Sequence, residues 1–170
     1  IAAAVAAVPT ATDNCDLTIA AVLTSDVTTP GTCSQEYVRV RKWTFTDDCN
    51  NTSLEFTQTI TVEDNTAPVV DDLPGSLDYS VECSDAIAIA AALALEPTAT
   101  DNCDVTLTAV LTSDVTTPGA CGQAYVRVRK WTFTDDCNNT SDEFTQTITV
   151  EDNTAPVVDN AVGSLDATLE

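Results

Sequence analysis

The alternation of hydrophobic and polar positions is clearest in a sixteen-residue stretch, Tyr37–Thr52, which returns unchanged at Tyr125–Thr140. Alternate side chains of a strand point to opposite faces, so one face of this stretch would carry its aromatic and arginine side chains. After Thr46 the alternation stops, and the chain becomes a polar loop with two carboxylates, one cysteine and two asparagines. The pattern predicts a strand and a loop in each copy, and the aromatic face of the first strand would carry Tyr37, Arg39, Arg41, Trp43 and Phe45.

Shorter alternating segments predict the strands that surround this one. They are separated by turn signals, such as the Thr-Pro-Gly sequence inside the turn predicted at Ser25–Thr32. Several short strands with a turn about every ten residues are typical of an antiparallel, immunoglobulin-like β-sandwich. We therefore predict an all-β fold with strands at Leu17–Thr24, Glu36–Thr46, Glu55–Val62, Val69–Asp71 and Leu77–Cys83.

An alanine-rich segment, Ser84–Glu96, fits two kinds of structure. Ser84 can cap the N-terminus of a short helix, and Pro97 would end that helix. The apolar residues of the segment fit the period of a strand equally well, so both structures remain open. Ile1–Val8 corresponds to the end of this segment in the first copy.

The two copies form a long repeat with few differences. Pro9–Val69 and Pro97–Val157 are identical at 54 of 61 positions, and the period is 88 residues. Such a period is too long for one turn of a solenoid and suits a small β domain. Because Ile1 aligns with Ile89 in mid-repeat, we expect a section of a longer tandem array. The predicted domains are an N-terminally truncated repeat at 1–68, a complete repeat at 69–156 and the first strands of a following repeat at 157–170.

The net charge of −21 comes from 27 acidic and six basic residues. This balance excludes a protein that neutralises nucleic-acid phosphates, and it argues against binding to an anionic membrane. No apolar run of about 18 residues predicts a membrane-spanning helix, so we expect no direct membrane insertion. The acidic residues have two explanations that remain open, a solvated surface or carboxylates gathered to hold cations.

The seven cysteines fit a repeat that carries four. A complete copy contains Cys83, Cys103, Cys121 and Cys137, and the first copy contains Cys15, Cys33 and Cys49. An even number per copy, with no histidine and no Cys-x-x-Cys pair, favours disulfides over zinc ligands. Disulfides predict an oxidising compartment, and therefore an extracellular protein.

The hairpin predicted between Leu17–Thr24 and Glu36–Thr46 suggests how these cysteines pair. Antiparallel pairing would bring Cys15 beside Cys49 and, in the second copy, Cys103 beside Cys137. The remaining bond in the complete copy would be Cys83–Cys121, and Cys33 would bond to a cysteine outside this sequence. A bond between the copies, Cys33–Cys83, remains the alternative.

Two groups of oxygen-bearing side chains are candidate calcium sites. The loops that begin at Asp13 and Asp47 would meet at one end of a domain, and short oxygen-rich loops held together suit Ca²⁺. The junction that begins at Glu63 would bind the ion and stiffen the linker. The alternative in both places is a plain turn in which Asp and Asn bind the local backbone. The candidate ligands are Asp13, Asn14, Asp16, Asp47, Asp48, Glu63, Asp64 and Asn65, with their copies Asp101, Asn102, Asp104, Asp135, Asp136, Glu151, Asp152 and Asn153.

Nothing in the sequence predicts an enzyme. Without histidine there is no His-based triad or His general base, and paired carboxylates in loops are typical of turns or cation ligands. Trp43 and Tyr37 would form a carbohydrate platform if they were exposed. A core role for Trp43 with Arg41 stacked on the indole is favoured. Their copies, Tyr125, Arg129 and Trp131, are expected to play the same structural role.

Four motifs carry a family resemblance: Thr-Ala-Thr-Asp-Asn-Cys-Asp, Arg-x-Trp-x-x-Thr-Asp-x-Cys-x-Asn, Gln-Thr-Ile-x-Val-x-Asp and Asn-Thr-Ala-Pro. In this order they resemble the HYR-like, immunoglobulin-like tandem repeats of giant Bacteroidota cell-surface adhesins of the SprB gliding type. The resemblance covers essentially the whole repeat. The family usually has Cys-Gly-Asn where this chain has Cys49-Asn50-Asn51, so Asn50 would make a left-handed turn there. The signature positions that the resemblance implies are Asp13, Asn14, Cys15, Trp43, Asp47, Cys49 and Asn51.

The resemblance implies a mechanical role at the cell surface. We expect structural or adhesive stalk repeats that project and stiffen a long extracellular adhesin or fibre, with neighbouring repeats of the same chain as partners and no nucleic acid. The first alternative is lateral assembly of several copies into an extracellular filament or sheath through Cys33 or exposed sheet edges. The second is a carbohydrate-binding module that recognises a surface polysaccharide.

Overall fold

The computed structural model describes residues 2–165 and 167. Its elements confirm the predicted all-β fold, because most are antiparallel strands and the helices are short. Ile1 of the alanine-rich segment and part of the predicted segment 157–170 lie outside the described residues. In chain order the elements are α1 (Ala2–Ala6), β1 (Ala21–Pro30), β2 (Tyr37–Phe45), β3 (Phe56–Val62), β4 (Val69–Val70), β5 (Tyr79–Glu82), α2 (Ala86–Leu93), β6 (Ala99–Thr100), β7 (Val110–Pro118), β8 (Tyr125–Thr132) and β9 (Phe144–Glu151).

The chain divides into two compact units, and each unit combines separate parts of the sequence. The first unit therefore contains the first copy together with two loops of the second copy. The domain boundaries expected from the repeat stay a prediction. The first unit comprises Ile1–Asp71, Thr98–Ala109 and Thr132–Asp142, and the second comprises Asp72–Pro97, Val110–Trp131 and Glu143–Glu170.

The first unit contains a three-stranded antiparallel sheet in the order β1-β2-β3. The aromatic face predicted for β2 is the face that is buried, with Arg41, Trp43 and Phe45 all inside. A second, two-stranded sheet joins β4 to β6, and Val69 lies opposite Thr100 in it. This small sheet ties the segment that follows β3 to residues of the second copy.

The second unit contains a four-stranded sheet in the order β5-β9-β8-β7. β8 and β9 are antiparallel, whereas β5 runs parallel to β9, with Tyr79 opposite Ile148. Every second residue of β9 from Phe144 onwards is buried. Ala92 of α2 packs with Ile148 and Val150 of β9 to form the core of this unit. Burial of these apolar side chains is the main force that holds α2 against the sheet.

The first strand lies further along the chain than its sequence indicated. β1 begins at Ala21 rather than Leu17 and continues to Pro30, through residues that were predicted to form the turn. The turn closes after Pro30, where the Gly31 N–H donates to the Glu36 carbonyl oxygen at 2.8 Å. Most side chains of β1 are exposed, so burial does not fix its position in the way it fixes that of β2.

The alanine-rich segment forms a helix, so the strand alternative is wrong. The cap is Asp85 rather than Ser84, because the Asp85 carboxylate accepts the Ala88 N–H at 2.9 Å. An Asp in this position satisfies one of the N–H groups that the first helical turn leaves unpaired. Neither helix in the described part of the chain has the length and apolar character that crossing a membrane requires.

Candidate functional site

The polar loops of both copies fold around aspartate side chains that accept local backbone N–H groups. Asp101 Oδ2 accepts the N–H groups of Cys103 and Asp104 at 2.7 and 3.1 Å. Asp13 makes the same turn in the first copy, with Cys15 and Asp16 as donors. This is the turn chemistry expected of Asp, and it sets the course of both loops.

The second polar loop is organised by a carboxylate and an asparagine four residues later. Asp47 accepts the backbone N–H and the side-chain amide of Asn51 at 2.6 and 2.7 Å. The hydrogen bond from the Asn51 side chain is the main cause that lowers the pKa of Asp47. The turn needs a left-handed residue, and Asn50 and its copy Asn138 provide it with φ angles of 66° and 68°. Asparagine therefore takes here the left-handed conformation that glycine adopts most easily.

The two polar loops of each copy meet, as their sequence predicted. The Asp48 N–H donates to Asp16 Oδ2 at 3.0 Å, and the Asp136 N–H donates to Asp104 Oδ2 at 2.8 Å. Hydrogen bonds make this connection, and the predicted Cys15–Cys49 disulfide does not. Cys15 and Cys49 are both exposed thiols. Hydrogen bonding to Asp48 is the main cause that raises the pKa of the Cys49 thiol.

The disulfide of the described chain joins the two copies. Cys33, in the turn after β1, bonds to Cys137 in the polar loop of the second copy, with a Cα–Cα distance of 5.1 Å. The predicted Cys103–Cys137 bond is therefore wrong, and so are the partner outside the sequence for Cys33 and the alternative Cys33–Cys83. The reason is that the turn carrying Cys33 lies against the polar loops of the second copy, where Ser34 and Gln35 bind Asp136 and Cys103, so Cys33 is within reach of Cys137. Cys83, Cys103 and Cys121 are thiols, so the Cys83–Cys121 bond is not formed either.

Hydrogen bonds surround the Cys33–Cys137 bond. The Ser34 N–H donates to Asp136 Oδ2 at 2.8 Å, and the Gln35 side-chain amide donates to the Cys103 carbonyl oxygen. Hydrogen bonding by Ser34 is the main cause that lowers the pKa of Asp136. The turn of the first copy is thus attached to both polar loops of the second copy.

The segment that follows β3 makes a second attachment to the same loops. The Asn139 side-chain amide donates to the Asp64 carbonyl oxygen at 3.1 Å, and that of Asn102 donates to Asp64 Oδ1 at 3.3 Å. Pro68 is buried, and beyond it the Asp71 N–H donates to the Thr98 carbonyl oxygen at 2.9 Å. We call these parts together the junction cluster, which consists of residues 31–36, 63–71, 98–104 and 132–142.

Two carboxylates and a thiol converge inside the junction cluster. Ligand atoms of Asp64, Asp101 and Cys103 all lie within 4.8 Å of one another. Asp64 is only 5% exposed, and neither Asp64 Oδ2 nor Asp101 Oδ1 has a hydrogen-bond partner among the described residues. Burial, followed by the charge of Asp64, raises the pKa of the Cys103 thiol. Two candidate calcium sites were predicted separately, one at the junction that begins at Glu63 and one at the loop that begins at Asp101. Residues of both therefore lie in a single cluster.

Several of the other candidate ligands are exposed, and one of them belongs to a second cluster. Glu63 and Asn65 are exposed beside the buried Asp64. In the second unit, Glu82, Cys83 and Asp152 form a similar group within 4.8 Å, and Glu82 also accepts the Asn153 N–H at 3.1 Å. Glu82 was missed from the sequence because it lies in a predicted strand rather than in one of the polar loops. The exposed residues Asn14, Asp48, Glu151 and Asn153 are not in these groups.

The tryptophans and arginines of the repeated strand are structural in both copies. Trp43 and Trp131 are 2% and 1% exposed, and in each case an arginine guanidinium lies 4.5 Å from the ring centroid. Arg129 Nη1 also donates to the carbonyl oxygens of Leu93 and Leu95 at 2.9 and 3.2 Å, which are unpaired at the end of α2. This helix contact was not predicted. Tyr37 and Tyr125 are half-buried, and Arg41 makes the equivalent contacts with Val5 and Ala7.

The comparisons with known proteins give one family. A family model described as HYR-like domain with four cysteines matches residues 1–62 and 66–150. The gap between the two matches falls at residues 63–65, inside the junction cluster. No curated protein and no solved structure gives a significant match.

Proposed function

Because the chain belongs to the family of HYR-like domains with four cysteines, we propose that it forms stalk repeats of a long extracellular surface adhesin or fibre. HYR-like domains are a non-enzymatic repeat type that is commonly extracellular and related to adhesion. The stalk repeats would project the chain, hold successive copies at a fixed spacing and resist bending. The finer expectation of a gliding adhesin from Bacteroidota rests on the sequence motifs alone.

One observation carries the proposal, and it is the Cys33–Cys137 disulfide between the copies. A domain that works alone gains nothing from a covalent bond to its neighbour, whereas a stalk that carries tension needs its copies held together. The bond spans 104 residues of sequence. Tension along the chain is therefore transmitted from the turn at Cys33 to the loop at Cys137 without loading the strands between them.

Hydrogen bonds of the junction cluster support the same conclusion. Asn102 and Asn139 bind Asp64, and Ser34 binds Asp136, so the first copy is attached to the second at two separate places. Two attachments resist rotation better than one flexible linker does. The acidic composition supports a further part of the proposal, in which bound Ca²⁺ relieves the repulsion and stabilises the stalk.

Pulling the chain by its two ends in a single-molecule force experiment tests the stalk. In the oxidised protein the residues between Cys33 and Cys137 cannot extend. Cys33→Ser should therefore lengthen the fully stretched chain by about 350 Å, since each residue adds about 3.3–3.6 Å. The matched control is Cys121→Ser, which changes the same turn position in the second copy, where the cysteine is an exposed thiol.

The force at which the oxidised chain first yields decides whether it is a stalk. We expect no lengthening until one of the strands outside the disulfide ring, β1 or β9, detaches from its sheet. Gradual lengthening at low force in both the oxidised and the Cys33→Ser protein would contradict a stiff spacer, because it would mean that the copies are joined flexibly.

Lateral assembly into a filament or sheath is the second candidate, and the exposed thiols favour it. Cys15, Cys49 and Cys121 are exposed and able to bond to other chains. Under oxidising conditions a filament subunit should give ladders on non-reducing gels that disappear on reduction. A single band would favour the stalk. A carbohydrate platform has no support from the tryptophans, because both rings are buried.

A further inference from the structure

The Asp64 and Asp101 carboxylates are partly buried without the hydrogen bonds that would offset the cost of their burial. Asp64 is 5% exposed, and one oxygen of each carboxylate is buried without a hydrogen-bond partner among the described residues. Burying an ionised carboxylate without a partner is costly, and a second carboxylate within 4.8 Å adds repulsion. The remaining oxygens accept hydrogen bonds from Thr66, Asn102, Cys103 and Asp104, which fixes both side chains in this arrangement.

No basic side chain of the chain is available to neutralise this pair. Five of the six basic residues form ion pairs at distances of 2.6 to 3.8 Å: Arg39 and Arg41 with Asp26, Lys42 with Glu55, Arg127 with Asp114 and Lys130 with Glu143. The sixth, Arg129, stacks on a tryptophan and binds helix carbonyl oxygens, and Arg41 does the same in addition to its ion pair. A compensating charge must therefore come from solution.

We infer that Asp64 and Asp101 bind a Ca²⁺ ion within the junction cluster. Calcium takes six to eight oxygen ligands, in flexible geometry, and its charge would offset both carboxylates. Asn102 is exposed next to the pair, so water can reach the site and complete the coordination. The thiol of Cys103 adjoins the site but is a soft donor, which a hard cation does not prefer. The inference deepens the proposed function, because it names the ion and its ligands in the stalk junction.

The two sequence copies provide a comparison within the molecule. Asp13 is the copy of Asp101 and makes the same turn, and Asp152 is the copy of Asp64 within the same Glu-Asp-Asn-Thr-Ala-Pro sequence. Both of these copies are exposed. The proposed site lies where the end of one copy meets the loop of the next, and Asp13, which belongs to no such group among the described residues, is the matched control position for Asp101.

The test is calcium titration of the oxidised, full-length chain by calorimetry, with thermal unfolding in Ca²⁺ and in EGTA. We expect Ca²⁺ at saturation to raise the unfolding temperature of the wild type by about 10 °C. Asp64→Asn and Asp101→Asn should each weaken calcium binding at least about tenfold and remove most of that rise. Asp13→Asn should keep both.

Unfolding in EGTA separates an ion site from a merely structural contact. Without Ca²⁺ the substitutions at Asp64 and Asp101 remove repulsion, so these variants should be at least as stable as the wild type. If Asp64→Asn is destabilised equally in Ca²⁺ and EGTA, the inference is wrong and Asp64 acts through its hydrogen bonds alone. It is also wrong if only Zn²⁺ binds and Cys103→Ser abolishes that binding. Either result would leave the force measurement, and hence the stalk, untouched.

Discussion

Two segments of this chain share nearly the same sequence and differ in how much of it they bury. Pro9–Val69 and Pro97–Val157 are identical at 54 of 61 positions. Yet Phe56 is 49% exposed whereas its copy Phe144 is 5% exposed. The comparison teaches that this 61-residue segment does not cover its own core, because the covering elements lie in the residues that precede Pro97.

The elements that make the difference are β5 and α2. β5 pairs with β9, and α2 packs on the same sheet, so Gln146 donates to the carbonyl oxygens of Leu77 and Ala92 from a fully buried position. In the first copy, β3 has β2 as its paired strand among the described residues, and the Gln58 side chain donates to Ala4 in α1. The first copy also leaves a cleft of about 220 Å³ beside Asp13.

The largest expected effect is that of removing a phenylalanine. Phe144→Ala should lower the free energy of unfolding around β9 by about 3–5 kcal/mol, because it leaves a cavity in a closed core. Phe56→Ala should cost only about 1 kcal/mol, since half of that side chain is already in water.

Hydrogen exchange measured by mass spectrometry distinguishes the two copies if the peptides compared differ in mass. Tyr37–Ser53 and Tyr125–Ser141 are identical, so their peptides have the same mass. Peptides that include Leu54 or Asp142 differ and report β3 and β9. Equal effects of the two phenylalanine substitutions would mean that both copies are closed to the same extent.

The next largest difference in the free energy of unfolding is expected between substitutions of Gln146 and of its copy Gln58. Gln146→Ala removes the donor to two carbonyl oxygens and the acceptor for Arg129 Nη1, all in the buried part of the second unit. Unpaired buried groups of this kind cost about 1–3 kcal/mol. Gln58→Ala should cost about 0.5 kcal/mol, because water can replace its bonds. Urea unfolding of each variant, followed by exchange of the same two peptides, checks the difference.

A smaller contrast is expected at the serine that follows each polar loop. Ser141 Oγ accepts the buried Phe133 N–H at 3.0 Å, so Ser141→Ala should cost about 1–2 kcal/mol. Ser53 makes the same bond from an exposed position, and Ser53→Ala should cost no more than about 0.5 kcal/mol. Thermal unfolding of the two variants would show whether the order is as expected, and a reversed order would contradict the burial argument.

The smallest difference between the two copies is expected at an exposed ion pair that both of them form. Hydrogen bonding by Arg39 lowers the pKa of Asp26, and Arg127 does the same for Asp114. A carboxyl whose pKa is lowered in the folded state adds stability above its unfolded pKa of about 3.9, and this stability is lost as the pH falls through the folded value. Asp26→Asn and Asp114→Asn should each flatten the loss of stability below pH 4 to the same extent. An effect in one copy alone would show that these surface pairs depend on the covering elements.

The sequence predicted what depends on local periodicity. The buried face of β2 follows from alternation, and the polar loops follow from their Asp and Asn residues. The parallel pairing of β5 with β9 was not predicted, because two strands distant in sequence leave no sign of their partnership. The course of β1 was misjudged since its side chains are mostly exposed.

The candidate site shows more clearly what the sequence alone does not predict. Asp64 and Asp152 have the same six-residue sequence around them, but Asp64 is buried and Asp152 is exposed. Local sequence cannot distinguish two identical segments. The burial of the Asp64 side chain therefore depends only on the residues that pack against it. Val157 and Val158 illustrate the same point, because they are 83% and 82% exposed where their copies form β4.

The bond between Cys33 and Cys137 has a consequence for how the molecule withstands proteolysis. It closes a covalent ring that contains the linker and most of both copies. A protease that cuts an exposed site inside this ring, such as the loop at Leu54, breaks the backbone but releases nothing. The part before the ring and the part after it stay joined, so a single cut leaves the two ends of the chain covalently connected.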